Sequence, residues 1–171
     1  TRAQVADVRN ENLKVKGDLK EANQKTQIAE RRLWLSIETI QDGFAFFDAD
    51  SRMIAANPSY LAVFDGLGEV QPGITYARLL QLVTEEGIFH IGEENPAVWR
   101  KAMLERWYMA SPPPKIVKLW NGQYIKLIDQ RGYDGDLVSL ALNITDTVRH
   151  EIQLKNAQER AEAANLAKSA F

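Results

Sequence analysis

The chain has 171 residues, with 21 basic and 23 acidic side chains, a net charge of −2 and no cysteine. This near balance argues against nucleic-acid binding, which needs a basic excess, and the lack of cysteine excludes disulfides and thiolate chemistry. No apolar run approaches the ~20 residues that cross a bilayer, and no signal peptide is visible. We therefore expect a cytoplasmic fragment without membrane contact, although an anchor upstream in a longer protein stays open.

The first segment, residues 1–37, is predicted to be one long helix that forms a coiled coil. It is heavily charged, lacks proline, and repeats apolar residues at alternating steps of three and four. The heptad a positions are Val5, Asn12, Leu19, Thr26 and Leu33, and the d positions are Val8, Val15, Ala22 and Ala29. This seam predicts a homodimer whose register is fixed by the polar Asn12. The alternative is a single amphipathic helix lying on a globular core.

The middle segment, residues 38–145, changes to an alternating pattern with proline, glycine and aromatic residues. "GFAFFDADSRMIAAN" predicts two short strands, and "KIVKLW", "QYIKLIDQR" and "DLVSLALNIT" predict three longer strands. Asn121-Gly122 and Asp134-Gly135 mark hairpin turns between the later strands. Three helices, capped at Asn57, Thr75 and Asn95, lie between strands two and three. The pattern predicts an α+β fold with a five-stranded antiparallel sheet.

The last segment, residues 146–171, is predicted to be helical again, with two apolar stripes. Ile144, Val148 and Ile152 step by four, whereas the second stripe resumes the spacing of three and four at Leu154, Ala157, Ala161 and Ala164. The two stripes cannot share one seam. Either the first stripe packs on the middle segment and the second on a partner helix, or a continuous coiled coil contains a stutter.

The opening "DGFAFFDADSRMIAANPSYLAVF", the strand order and the two hairpins resemble a PAS sensory domain over residues 38–146. In that family a D-[IVA]-T triplet closes the last strand and passes the signal to the following helix. Asn143-Ile144-Thr145 stands at this place. Asn143 lacks the carboxylate, and Asp146 is close enough in sequence to substitute for it. The resemblance therefore implies a signal relay through Asn143, Thr145 and Asp146.

The C-terminal "AANLAKSAF" resembles the start of the dimerisation and phosphoacceptor helix of bacterial histidine kinases. This resemblance implies a sensory and dimerisation module of a two-component sensor kinase, with the kinase domains downstream in the same protein. The phosphorylated His would then lie beyond Phe171. We expect no enzymatic activity in this fragment, and the carboxylates in its turns and helix ends are expected to be solvated or capping.

The residues expected to line the interior are rich in aromatic side chains. They either fill the core or leave a pocket for an apolar or planar molecule. We favour a largely filled core, with the outer sheet face free for contacts. A small-ligand sensor and a module controlled by a regulatory protein partner stay open as alternatives. The candidate residues are Phe44, Phe46, Tyr60, Phe64, Leu80, Trp99, Ile125, Leu127, Leu140 and Leu142.

No cofactor or metal is predicted. His90 is expected in a loop between helices, displaced from the position at which some PAS domains hold haem, and His150 is expected to be structural. Flavin chemistry of the cysteine-adduct type is excluded because the chain has no cysteine.

Overall fold

The computed structural model describes residues 1–170, apart from the side chain of residue 37, as two units. The first, Thr1–Ile40, consists of helix α1 (Arg2–Thr39). The second begins at Gln41 and carries six strands and four helices. Within residues 1–170, none of the helices has an apolar stretch long enough to span a bilayer.

Helix α1 is continuous, and its predicted seam lies open. Val5, Val8, Val15, Leu19 and Leu33 are each more than half exposed. Gly17, at an outward heptad position, has open space where a side chain would begin. The apolar stripe of this helix therefore has the exposure that a partner helix would remove.

The second unit is built on one antiparallel sheet. Its strands are β1 (Gly43–Phe47), β2 (Met53–Ala56), β3 (Phe89–His90), β4 (Lys115–Leu119), β5 (Tyr124–Arg131) and β6 (Leu137–Asn143). The spatial order is β2-β1-β6-β5-β4-β3, so the first and last strands, β1 and β6, are neighbours inside the sheet. The prediction of an α+β fold is confirmed.

The sheet has six strands where five were predicted. The additional strand is β3, in which Phe89 and His90 pair with Leu119 and Lys118 of β4. His90 therefore lies in a strand, not in a loop. A strand of two residues has no alternating pattern to reveal it in the sequence, because the period of two needs four or more residues to show.

Three helices lie between β2 and β4, namely α2 (Pro58–Val63), α3 (Tyr76–Glu85) and α4 (Pro96–Trp107). All three predicted caps are present. The Asn57 side chain accepts from the backbone N–H of Tyr60, Thr75 accepts from Arg78, and Asn95 accepts from Ala97 and Val98. These side chains satisfy N–H groups that have no partner inside the first helical turn.

The core lies between the helices and one face of the sheet. Along β1 the buried residues are Gly43, Ala45 and Phe47, and along β6 they are Leu137, Ser139 and Ala141. Gly43 is required by close packing, because a Cβ there would lie 2.9 Å from the Tyr60 Cα of α2.

Helix α5 (Thr145–Ser169) follows β6 after one residue. Thr145 is buried and Val148 is half-buried, whereas every described residue from Arg149 to Ala170 is exposed, Ile152 and His150 included. The first stripe is therefore covered only at its beginning, at Ile144 and Val148.

Asn57 and Asn95 offer a matched test of what fixes α2 to the sheet. Both are the N-cap of a helix that begins with proline. Asn57, however, is 1% exposed, and its side chain also accepts a hydrogen bond from the Phe44 N–H and donates one to the Asp42 carbonyl. We expect Asn57→Ala to lower the free energy of unfolding by about 2–4 kcal/mol, because it leaves several buried groups unpaired. Asn95→Ala removes only an exposed cap and should cost about 1 kcal/mol. Urea denaturation of both variants measures the difference, and equal losses would contradict it.

Candidate functional site

The interior of the second unit contains a cluster of polar side chains, Tyr60, Arg106, Asp129 and Ser139, which we call the interior cluster. Asp129 and Ser139 face each other on β5 and β6, and both point to the buried face of the sheet. The Tyr60 hydroxyl, from α2, shares a hydrogen bond with the side chain of Ser139.

Arg106, near the end of α4, is held at three points. Its Nη1 lies 2.6 Å from Asp129 Oδ2, its Nε donates to the Pro113 carbonyl at 2.6 Å, and its Nη2 donates to the Leu127 carbonyl at 3.3 Å. The exposed fractions of the Arg106 and Asp129 side chains are 8% and 2%. The guanidinium therefore joins α4, the proline-rich loop and β5 at one buried place.

Burial and the charge of Asp129 raise the pKa values of two nearby tyrosines, Tyr60 and Tyr76. Burial raises the pKa of Tyr60 far above its ordinary value, and the negative charge of Asp129 raises it further. The pKa of Tyr76 is raised by burial first, and then by Asp129 and Tyr60. Both hydroxyls therefore stay protonated throughout the physiological range and can act as hydrogen-bond donors.

A cavity of about 20 Å³ lies beside this cluster, lined by Tyr60, Tyr76, Asp129 and Ser139 among others. Asp129 Oδ1 is buried and has no hydrogen-bond partner among the residues that the structure describes. A cavity of this size accommodates a single water molecule. Drug-sized ligands occupy pockets of roughly 300–1,000 Å³. In this conformation the interior is therefore packed, not open.

Aromatic side chains pack around Tyr76, which lines the cavity. The Tyr76 ring stacks on Trp107 with centroids 3.6 Å apart, and Phe47 meets Trp107 edge to face at 5.0 Å. The Trp107 indole N–H donates to Ser51 Oγ at 3.0 Å. These contacts add geometric preference to the burial of large apolar surfaces.

The predicted interior residues divide between the two faces of the sheet. Tyr60, Phe64, Leu80, Trp99, Ile125 and Leu127 are buried in the core. Phe44, Phe46, Leu140 and Leu142 instead point to the opposite face, where each is half-buried. The prediction that these four face the interior is corrected by the strand pleat, since a shift of one residue moves a side chain to the other face.

The sequence reading missed the buried pair of Arg106 and Asp129. A signal was present in "QYIKLIDQR", because the alternation that buries Ile125 and Leu127 buries Asp129 next. A carboxylate at an inward strand position requires a partner in the core. Within residues 1–170, no group of three His, Asp or Glu side chains is placed to hold a metal ion.

The second predicted site is the junction between β6 and α5, and here the structure brings two of three residues together. Asn143 Oδ1 accepts from the Thr145 backbone N–H at 3.0 Å and from Thr145 Oγ1 at 2.5 Å. The same Thr145 Oγ1 accepts from the Tyr124 N–H of β5 at 3.0 Å. Asp146 lies in the first turn of α5 and forms no ion pair within the described part of the chain.

The chain matches a known family over most of its length. The family described as "PAS fold" matches residues 37–153. The "Non-motile and phage-resistance protein" of Caulobacter vibrioides is 27% identical over 180 residues, which cover 88% of this chain. The chain spans only 20% of the length of that relative.

Two solved structures are similar to this chain over most of its length. The PAS domain of an HTR-like protein from Haloarcula marismortui is 12% identical and covers 73% of this chain and 99% of its own, with a TM-score of 0.46. The PAS domain of Bordetella pertussis BvgS is 19% identical and covers 79% of this chain and 98% of its own, also with a TM-score of 0.46.

The ion pair gives a prediction that separates buried from exposed charges. Arg106→Leu leaves the Asp129 carboxylate buried without a countercharge, and we expect a loss of about 3–5 kcal/mol in the free energy of unfolding. The double variant Arg106→Leu/Asp129→Leu should lose less, because no unpaired charge remains. Urea denaturation measures all three proteins.

The matched control for this prediction is Arg78→Leu. It breaks the ion pair between Arg78 and Glu69. The side chains of these two residues are 40% and 53% exposed. We expect little change, since solvent screens such pairs. A double variant that loses as much free energy of unfolding as Arg106→Leu alone would contradict the interpretation.

Proposed function

Because this chain belongs to the PAS family, as the match over residues 37–153 shows, we propose that it is the sensory and dimerisation module of a two-component sensor histidine kinase. It relays a signal from its interior through α5 to kinase domains downstream in the same protein. The observation that carries the relay is the set of hydrogen bonds at Thr145, which join two strands to the first residue of α5.

The relay depends on one hydroxyl group. Thr145 Oγ1 donates to Asn143 at the end of β6 and accepts from Tyr124 at the start of β5. Ile144, the residue before the helix, makes no side-chain cap, and its N–H donates to the Tyr124 carbonyl. A displacement of β5 and β6 therefore changes the position of the first helical turn. A two-state shift of the helix is the kind of change that a downstream domain can read.

Dimerisation is assigned to the helices that flank the sheet. The open seam of α1 is proposed to form a parallel coiled coil, with the polar Asn12 holding the register. The exposed part of α5 is proposed to pair with its counterpart in the same dimer. A symmetric arrangement of this kind lets both copies of α5 change together, which suits control of a dimeric kinase.

The histidine-kinase context rests on the tail. "AANLAKSAF" is the stretch that resembles the beginning of a phosphoacceptor helix, and α5 includes all of it up to Ser169. We accordingly propose a cytoplasmic, non-enzymatic fragment that uses no resident cofactor and binds no nucleic acid. The phosphoacceptor His and the catalytic groups belong to the downstream domains.

A small-ligand sensor is the second candidate. Asp129 Oδ1 favours it, because this atom lies beside the cavity and has no hydrogen-bond partner among the described residues. A ligand larger than one water molecule requires the aromatic side chains around Tyr76 to move apart, since the cavity measures about 20 Å³. Native mass spectrometry and an absorbance spectrum of the purified chain separate the two candidates. A stoichiometric bound molecule would support the sensor, and its absence the relay.

The relay predicts that one substitution of Asn143 weakens the junction and that another preserves it. Asn143→Ala removes the acceptor for two Thr145 donors, so we expect a loss of about 1–2 kcal/mol and faster amide exchange at Thr145 and Tyr124. Asn143→Asp keeps the acceptor and places a negative charge near the positive end of the α5 dipole, so it should preserve the junction. Hydrogen exchange followed by NMR compares the two.

In the complete kinase, the two variants should differ in autophosphorylation rate. The rate of Asn143→Ala should change, whereas that of Asn143→Asp should stay close to the wild-type rate. Equal rates for all three proteins would contradict the relay at this junction. A complete protein that shows no autophosphorylation would contradict the kinase assignment itself.

The coiled coil gives a test in solution. Leu19→Asp places a charge at an a position, and we expect the chain to become monomeric by light scattering. Gly17→Asp introduces the same charge two residues away at an outward position with open space, so the dimer should persist. An unchanged dimer in Leu19→Asp would show that the α1 seam is not the main interface.

A further inference from the structure

Strand β4 is covered along the whole of one side and along only part of the other. On one side β5 pairs with Lys115, Ile116, Val117 and Lys118. On the other side β3 reaches only Lys118 and Leu119, because the chain turns away after His90. The edge of β4 from Lys115 to Val117 therefore has no partner strand within the described residues.

The backbone groups that face this open edge belong to Ile116. The Leu119 N–H donates toward β5, to the Gln123 carbonyl, and the Trp120 N–H donates toward β3, to the Ile88 carbonyl. Since backbone groups in an antiparallel strand alternate in direction, the N–H and C=O of Ile116 point to the same side as those of Trp120. Ile116 itself is 52% exposed.

A groove runs along the edge and continues beside α4. The first part, of about 250 Å³, is lined by residues that include His90, Ile91, Trp99, Ile116 and Lys118. The second part, of about 500 Å³, shares Glu94, Trp99 and Lys115 with the first and is mainly apolar, with Val98 and Met109 on its wall. Val98 and Met109 are 66% and 52% exposed.

The charge around the edge is positive. Lys115 and Lys118 flank Ile116 and Val117 in sequence. Lys126 of β5 pairs with Ile116, and this pairing brings the side chains of Ile116 and Lys126 close together. None of these lysines takes part in an ion pair within residues 1–170. Of the described residues that line the edge part of the groove, Glu94 is the single carboxylate.

We propose that this edge binds an acidic, extended segment of a partner protein, which adds to the sheet as a strand beside β4. The open N–H and C=O of Ile116 pair with the backbone of that segment, and Lys118 and Lys126, which lie on the outer face of the sheet, face its carboxylates. An apolar side chain of the same segment enters the groove near Val98 and Met109. This mode of recognition takes affinity from the main chain and specificity from the side-chain pockets.

The same lysines argue against a second copy of this chain as the occupant. Pairing two copies of the edge would bring the lysines of both strands together, and like charges across strands are unfavourable. Lysines on edge strands commonly prevent such self-association. Here they leave the edge selective for a segment of opposite charge. The proposal is independent of the relay, because neither Asn143 nor Thr145 takes part.

The probe is a short capped peptide that alternates Asp and Val, titrated into the ¹⁵N-labelled chain to about 1 mM, the range of weak transient binding. We expect the Ile116 amide to shift and its exchange with solvent to slow at least ~10-fold on binding, because strand addition gives it an acceptor. Raising the NaCl concentration from about 50 to about 500 mM should weaken binding, since exposed charges are screened.

Ile116→Pro is the decisive variant. It removes the edge N–H without removing a bond to β5, and proline is tolerated at the open side of an edge strand. We expect at least a ~10-fold loss of affinity, whereas Ile116→Thr keeps the N–H and should bind within about 3-fold of wild type. The remaining amide signals report whether each variant is folded. Lys118→Gln combined with Lys126→Gln tests the charge term in a chain whose edge N–H is intact.

Four results would overturn the proposal. The first is no shift of Ile116 at the highest peptide concentration, and the second is equal binding by folded Ile116→Pro. The third is equal binding of a peptide that alternates Lys and Val. Shifts confined to the outer sheet face around Phe44 and Leu140 would also overturn it, since they would place the docking surface elsewhere.

Discussion

The buried ion pair between Arg106 and Asp129 constrains the elements that enclose the interior of the second unit. Two charges taken out of water are stable together only when their geometry and hydrogen bonds are nearly complete. Arg106 satisfies part of this requirement, because its Nε and Nη2 also donate to the Pro113 and Leu127 carbonyls. Asp129 Oδ1 has no hydrogen-bond partner among the described residues. The end of α4, the loop before β4 and the middle of β5 therefore cannot move independently. Tyr60 and Tyr76 remain protonated beside this carboxylate, which completes a polar centre within an otherwise aromatic core.

Strand β5 connects this centre to the helix that leaves the sheet. Asp129 lies toward one end of the strand and Tyr124 at the other, where its N–H binds the Thr145 hydroxyl. A change in the interior that shifts β5 along its length would therefore also displace the first turn of α5. The ladder between β5 and β6 is continuous from Ile125 to Arg131, which makes this pair of strands stiff. The physical route from core to helix is thus a short one, made of backbone hydrogen bonds and one side-chain hydroxyl.

Much of this fold is predictable from local patterns, and the exceptions have physical reasons. The Asn-Pro helix starts, the Thr75 cap and the Asn121-Gly122 hairpin are short-range signals that depend on neighbouring residues alone. The facing of Phe44 and Leu140 depends on the strand pleat, and both faces of these strands carry apolar residues, so alternation does not distinguish them. β3 depends on pairing with a strand nearly thirty residues away. The ion pair of the interior cluster likewise joins α4 to β5, and sequence shows only that Asp129 occupies an inward position.

The exposure of α5 has a mechanical consequence. The helix has 25 residues and touches the sheet only at its first turn, so at 1.5 Å per residue it extends about 37 Å from its point of attachment. A rotation of about 5° at Thr145 moves the far end by roughly 3 Å, a displacement comparable to the helix shifts seen at switching interfaces. Sub-ångström changes in a hydrogen bond at the base thus become ångström-scale motions at the tip. In the proposed relay, the displacement at the far end of α5 would therefore grow in proportion to the length of the helix.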